Sequence, residues 1–227
     1  MNPEPFFAVL DCIENYAADL EAIGANAPPA PRWDQDWFPR LDAAAAYALV
    51  RQEPPRRIVE VGSGHSTRFL ARAVADGKLD TRITAIDPQP RASIEKLPVE
   101  WLRVPVQRVA AFPPLGPGDI LFIDSSHQVK PGSDVEFLLK AVLPLLPAGV
   151  HVHFHDIFLP DDYPPQWEWR RYNEQAAVAA LIESNVFRVE FASHALVSRT
   201  PEKISGVLER LPLVPGAIES SLWLTRH

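Results

Sequence analysis

The chain carries a single cysteine, Cys12, a single methionine, and fewer positive than negative charges. One thiol excludes an intrachain disulfide and any zinc site built from several cysteines, and it suits a reducing compartment. The 22 Lys and Arg set against 29 Asp and Glu leave a net charge of −7, which argues against nucleic acid as a partner. A membrane span needs about 18 consecutive apolar residues. The best stretch, 137–154, is interrupted by Lys140, two prolines and two histidines, so no membrane contact is expected. The opening MNPEPFF has no basic start followed by an apolar run, and a soluble, cytoplasmic protein is the expectation.

What is present is an ordinary globular balance, 47% hydrophobic and 22% charged in 227 residues, with an excess of proline at 24. The prolines are dispersed, so they mark rigid turns rather than a polyproline rod. Phe6, Phe7, Leu10, Ile13, Ala17, Leu20 and Ile23 recur at helical spacing, and 41–51 reads as a second helix that Pro54 and Pro55 forbid from extending. From residue 56 the texture changes. Short apolar runs at 57–61, 83–86, 102–109, 120–123, 150–154, 187–191 and 222–225 alternate, through the first five, with amphipathic segments such as 67–75 and 134–143. That alternation predicts an α/β fold: a doubly wound, mostly parallel Rossmann-like sheet covered by helices. After a helix at 173–184, two runs with no evident helix between them predict an antiparallel C-terminal edge. Residues 1–55 read as a helical extension packed on a single core of 56–227.

The first run closes on Glu60-Val-Gly62-Ser63-Gly64-His-Ser-Thr67. Gly62 and Gly64 allow a sharp turn and close approach to a ligand, and the helix that follows offers free N–H groups. Asp87, 25 residues after Gly62, ends the next run, where a doubly wound sheet places a carboxylate against ribose hydroxyls. A nicotinamide fingerprint wants a third glycine where Thr67 stands. Glu60 would repel a pyrophosphate and suit a cationic ligand.

Glu60-x-Gly62-x-Gly64, then Asp87, then Gly118-Asp-Ile-Leu-Phe-Ile-Asp124 resembles the class I S-adenosylmethionine-dependent methyltransferases over residues 56–157. The resemblance implies S-adenosylmethionine as cofactor, held by Glu60, Gly62, Ser63, Gly64, Asp87 and Asp124; Ala110-Ala111-Phe112 departs from the acidic or polar adenine contact frequent in the family, and Phe112 is the residue that could pack on the base instead. Two further clusters sit at strand ends, Asp124-Ser-Ser-His127 and His155-Asp156. Their arrangement is similar to the metal-dependent, catechol-type O-methyltransferases. That likeness implies a divalent metal, magnesium or manganese, on Asp124, His155 and Asp156, and His127 in the position of the catalytic base. Since His155 stands where the family has a carboxylate, manganese, iron or no metal at all also fits.

His151 and His153 share a strand face with His155 by period two and read as hydrogen-bonded core residues. Ser133 and Glu136 read as a capping box, with Asp134 in the first turn. The aromatic segment Tyr163–Tyr172, with Trp33 and Trp37, reads as a lid or acceptor wall, and Arg170 and Arg171 could meet an anionic acceptor. The leading expectation is O-methylation of a small-molecule hydroxyl by a protein that could be a homo-oligomer. The alternatives are a metal-dependent hydrolase using the alternating histidines and a methyltransferase-like fold that binds a ligand without turnover.

Overall fold

The computed structural model describes residues 2–24 and 27–227. Seven strands, β1 (Arg57–Val61), β2 (Arg82–Ile86), β3 (Glu100–Leu102), β4 (Ile120–Ile123), β5 (His151–Phe154), β6 (Phe187–Ala192) and β7 (Leu222–Arg226), form one sheet. Its order is β3-β2-β1-β4-β5-β7-β6. The first five strands pair in parallel, and β7 inserts antiparallel to both β5 and β6. The near-continuous apolar runs of β1 and β4 are buried, as strands covered on both faces must be.

Among the described residues, eight α-helices flank the sheet: α1 (Phe7–Asn15), α2 (Ala17–Glu21), α3 (Arg40–Gln52), α4 (His65–Gly77), α5 (Asp134–Phe137), α6 (Glu174–Glu183), α7 (Ser193–Arg199) and α8 (Val207–Arg210). The alanine run of α3 is buried; its small side chains let this helix lie close against α4, which buries Phe69, Leu70 and Ala73. Phe6, Val9, Ile13 and Leu20 of the N-terminal segment join the same hydrophobic core as the sheet, and Phe6 meets Phe191 of β6 edge-on at 6.0 Å. Among the described residues no helix is long and apolar enough to cross a membrane.

Four expectations change. The third strand is the short Glu100–Leu102 rather than 102–109. Pro105 has no N–H for a ladder, and Val106–Arg108 turns as a 3-10 helix. The N-terminal helix breaks at Tyr16. The segment after Asp134 loosens past Phe137 into a wide turn at Leu138–Val142. Between β6 and β7, where no helix was expected, lie α7 and α8.

The order of the strands reverses between β1 and β4. Ligands of doubly wound sheets bind in the crevice outside the carboxyl ends at such a point. Those ends present Gly62, Asp87, Asp124 and His155.

Candidate active site

The turn after β1 is drawn tight. Gly62 has φ +81°, and a Cβ there would lie 1.7 Å from the Asp124 carbonyl oxygen. Only glycine fits. Ser63 donates to Asp87 Oδ2 from its N–H at 2.7 Å and its hydroxyl at 3.1 Å, and the Gln89 N–H donates to Oδ1 at 2.7 Å. Asp87 therefore braces the turn. The Gly64 N–H donates to Thr67 Oγ1 at 2.9 Å, which sets the start of α4.

Glu60 lies elsewhere. It is fully buried and accepts from Ser66 Oγ at 2.5 Å and Thr67 Oγ1 at 2.6 Å. Burial pushes its carboxyl up to about 8, although the two hydroxyls pull the other way. The expectation that Glu60 offers a negative charge to a cationic ligand is thus corrected: it clamps the start of α4 and is mostly neutral at pH 7.

Two cavities open at the carboxyl ends of the strands. One, of about 300 Å³, is lined by Gly62, Ser63, Asp87, Val106, Gln107 and Ser125 among others. Its far wall is Pro105–Gln107, and Phe112 packs on the core instead. The other, about 60 Å³, is lined by Trp37, His65, His127, His155, Asp156 and Arg170 among others. Ser63, Arg91 and Asp124 belong to both walls. A larger cavity of about 550 Å³ lies between α1 and the sheet, at the opposite ends of β4 and β5.

Around the smaller cavity, Asp124, His127, His155 and Asp156 converge. His127 Nε2 is 3.3 Å from Asp124 Oδ1 and 3.6 Å from Asp156 Oδ2. His155 Nδ1 is 3.5 Å from Asp124 Oδ1 and from Asp156 Oδ1. The outward nitrogens have their own carboxylates: His127 Nδ1 is 3.0 Å from Glu174 Oε2, and His155 Nε2 is 3.3 Å from Asp42 Oδ2. Asp42 in turn accepts the Ser220 and Ser221 N–H groups at 2.9 and 3.0 Å and the Ser193 hydroxyl at 2.5 Å. Two cluster residues, His127 and Asp156, hold φ +56°, a conformation that side chains adopt at some expense and that gathers at functional sites. Buried polar atoms without a partner include His65 Nδ1, Ser125 Oγ, Arg170 Nε and Glu174 Oε1. The first three belong to residues of the cavity walls.

Burial alone would lower both imidazoles. For His127, Asp124 and Glu174 outweigh it, and for His155 the charges of Asp156 and Asp124 do; both rings sit well above the usual histidine range. Burial would raise Asp124, but His155 and His127 hold it well below the usual carboxylate range. His127, expected as the base, has its two ring nitrogens against carboxylates, Asp124 on one side and Glu174 on the other. As they stand, no group of three or more His, Cys, Asp and Glu side chains among the described residues encloses a metal ion.

Two residues that the sequence did not single out prove central. Asp42 and Glu174 orient the two imidazoles. Asp134 accepts the Ser126 N–H at 2.9 Å and the Ser126 hydroxyl, tying down the loop after β4. Ser133 Oγ accepts from the Glu136 N–H, while the Glu136 carboxylate takes the Gly132 N–H, so the capping box is only half closed. His65, at the edge of the smaller cavity, is kept neutral with its pKa lowered to about 4 by burial, Arg68 and Arg32. Of the aromatics, Trp37 and Trp167 line that cavity, under the guanidinium groups of Arg91 at 4.4 Å and Arg170 at 4.0 Å. Trp33 is instead a core residue, donating to the Leu20 carbonyl and packing on Phe69 with the rings tilted at 49°.

Residues 59–157 match the family described as a methyltransferase domain. This segment is a methyltransferase domain. The fold itself is shared with solved structures over nearly the whole chain. The SAH-bound methyltransferase PaMTH1 of Podospora anserina is 19% identical, with a TM-score of 0.53, and 96% of this chain aligns with 88% of that one. The plantazolicin methyltransferase BpumL, solved with a monoazolic desmethylPZN analogue and SAH, is 13% identical, with a TM-score of 0.53 and 99% of both chains aligned. No curated protein matches the sequence. The methyltransferase domain supplies the Gly62 turn, Asp87, Asp124, His127, His155 and Asp156. Trp37, Asp42, Trp167, Arg170 and Glu174 come from the flanking segments.

Proposed function

We propose that this chain is an S-adenosylmethionine-dependent O-methyltransferase acting on a small-molecule hydroxyl. The meeting of two chambers at Ser63, Arg91 and Asp124 carries this reading. The larger chamber has the features a nucleoside needs: the Gly62 turn in its wall, the unpartnered Ser125 hydroxyl, and Asp87, whose Oδ1 takes one N–H and has a lone pair left for a ribose hydroxyl. The smaller chamber takes the acceptor.

S-adenosylmethionine, when bound, supplies an electrophilic methyl group on a sulfonium. Asp124, held ionised at the shared wall, favours positive charge there. Trp37, Trp167 and Tyr172 wall the acceptor off from water and, with Arg91 and Arg170, orient it. The C–S bond breaks as the C–O bond forms, the electron pair stays on sulfur, and the hydroxyl proton passes into the carboxylate-rich cluster. Asp124, His155 and Asp156, expected as ligands of a divalent cation, form no group that could hold one as they are placed.

Calorimetric titration with S-adenosylmethionine, followed by mass spectrometry of a panel of hydroxyl acceptors, tests the reading. Micromolar binding and a gain of one methyl are expected; no binding at millimolar cofactor would end it, and binding without transfer would leave a ligand-binding protein. The alternating-histidine hydrolase loses its basis, because His151, His153 and His155 face three different partners, Thr225, Ser221 and Asp42.

A further inference from the structure

The cavity of about 550 Å³ between α1 and the sheet has no role in the chemistry proposed above. Its volume lies within the roughly 300–1,000 Å³ of small-molecule pockets. The sheet is its floor. Ile120 and His151 open β4 and β5, and Trp223 and Thr225, two apart on β7, stand opposite His153 and His151; residues two apart on a strand share a face. Val9 of α1 and Leu49 of α3 close over them, giving an apolar interior.

Three features mark a binding site rather than a packing gap. Trp223 is 2% exposed, and its indole Nε1–H has no partner among the described residues, whereas a buried indole N–H ordinarily finds one. On β6 a bulge leaves Glu190 as an extra residue between the pairs Val189–Leu224 and Phe191–Trp223. A bulge lets two residues oppose one, so a carboxylate joins the cavity wall beside Trp223 while Phe191 stays in the core.

The third feature is charge. Arg188 is the one Lys or Arg of the wall, and its Nη2 lies 2.7 Å from Glu190 Oε1. Asp11 and Glu53, both exposed at the mouth, have no such partner among the described residues. His151 is 3.8 Å from Glu53 Oε2, beyond hydrogen-bond reach, and its other nitrogen is 3.0 Å from Thr225 Oγ1. The Glu53 charge reaches inward: burial first, and then Glu53, push the Cys12 thiol of the wall up to about 11.

We propose that this cavity binds an amphipathic organic cation, its apolar body between Val9, Leu49 and Trp223 and its protonated amine at the mouth against Asp11 and Glu53. An anion of the same shape meets those carboxylates with the wrong sign. The site is separate from the transferase chambers and does not depend on that reading.

Calorimetry of the full chain at low salt, with 2-naphthylmethylammonium chloride and with sodium 2-naphthoate, tests it. The amine should bind below millimolar concentration, about tenfold tighter than naphthoate, and more weakly as salt is added. Ala8 is exposed on α1 and lines the cavity, so Ala8→Trp should fill the space and abolish binding with the thermal midpoint nearly unchanged. The double variant Asp11→Asn/Glu53→Gln should bring the two probes within about threefold of each other. Excess S-adenosylmethionine should not displace the amine. No binding at millimolar amine, equal binding of naphthoate, displacement by S-adenosylmethionine, or binding that survives Ala8→Trp overturns the inference. Should Ala8→Trp fail to fold, the double variant decides, and an unchanged preference for the amine refutes the site.

Discussion

Gly62 offers the sharpest perturbation, because the structure separates two penalties there. Gly62 and Gly118 share φ +81°, so alanine at either position meets the same backbone strain, about 1–2 kcal/mol. At Gly118 the added Cβ meets nothing within 4 Å; at Gly62 it lies 1.7 Å from the Asp124 carbonyl oxygen and 2.7 Å from its carbon. Real Cβ contacts essentially never fall below 3.0 Å, so the strand end carrying Asp124 must retreat by about 1.3 Å. Forcing a packed backbone apart costs roughly a further 1–3 kcal/mol. Chemical denaturation should therefore find Gly118→Ala less stable by about 1–2 kcal/mol and Gly62→Ala by about 2–5 kcal/mol. Calorimetry should show S-adenosylmethionine binding retained in Gly118→Ala and lost in Gly62→Ala, since the moved carbonyl belongs to the wall both chambers share. If the two variants lose equal stability and both bind the cofactor, the close approach of Gly62 to Asp124 is not what shapes the site.

Three other perturbations follow from the same geometry. Glu60, with its folded pKa about 8 against an ordinary 4.5, binds more protons folded than unfolded between those values. Its contribution is full below pH about 4.5 and declines to about pH 8, by roughly 1.4 kcal/mol per unit. The stability of Glu60→Gln relative to wild type should thus improve by about 3–4 kcal/mol from pH 5 to pH 8; denaturation curves with a constant difference would contradict the burial argument. Asp87→Ala removes the acceptor for two backbone N–H groups and for a ribose hydroxyl, worth about 1.5–3 kcal/mol, so S-adenosylmethionine should bind roughly 10–150-fold more weakly in calorimetry. Phe38 is buried against Phe69, Phe122, His153 and His155. Phe38→Ala should lower stability by about 3–5 kcal/mol, and a thermal midpoint within a few degrees of wild type would show that the ring does not support the imidazoles.

The donor side of the site was legible because its signals are local. The Gly62–Gly64 turn, Asp87, Asp124 and the His155–Asp156 pair all stand at strand ends, and strand ends can be read from apolar runs and the residues that stop them. The braces were not. Asp42 lies 113 residues from His155, and Glu174 lies 47 from His127; each looks like an ordinary helix carboxylate until the sheet brings them together. Glu60 was placed correctly in the chain, but its charge was misjudged, since proton affinity depends on burial and not on spacing. The apolar run 102–109 suggested a strand that Pro105 prevents. Trp33 and Trp37, four residues apart, diverge because one ring turns to Phe69 while the other lies under Arg91.

The two chambers have different origins along the chain. The residues proposed to hold a nucleoside all come from the central stretch, 59–157, whereas Trp37 and Asp42 arrive from one side of it and Trp167, Arg170 and Glu174 from the other. Relatives could keep the same methyl source and exchange only these outer pieces to accept a new molecule. The converse also holds: a shortened chain beginning at Arg56 would take Trp37 and Phe38 from the wall of the smaller chamber, along with the carboxylate that steadies His155.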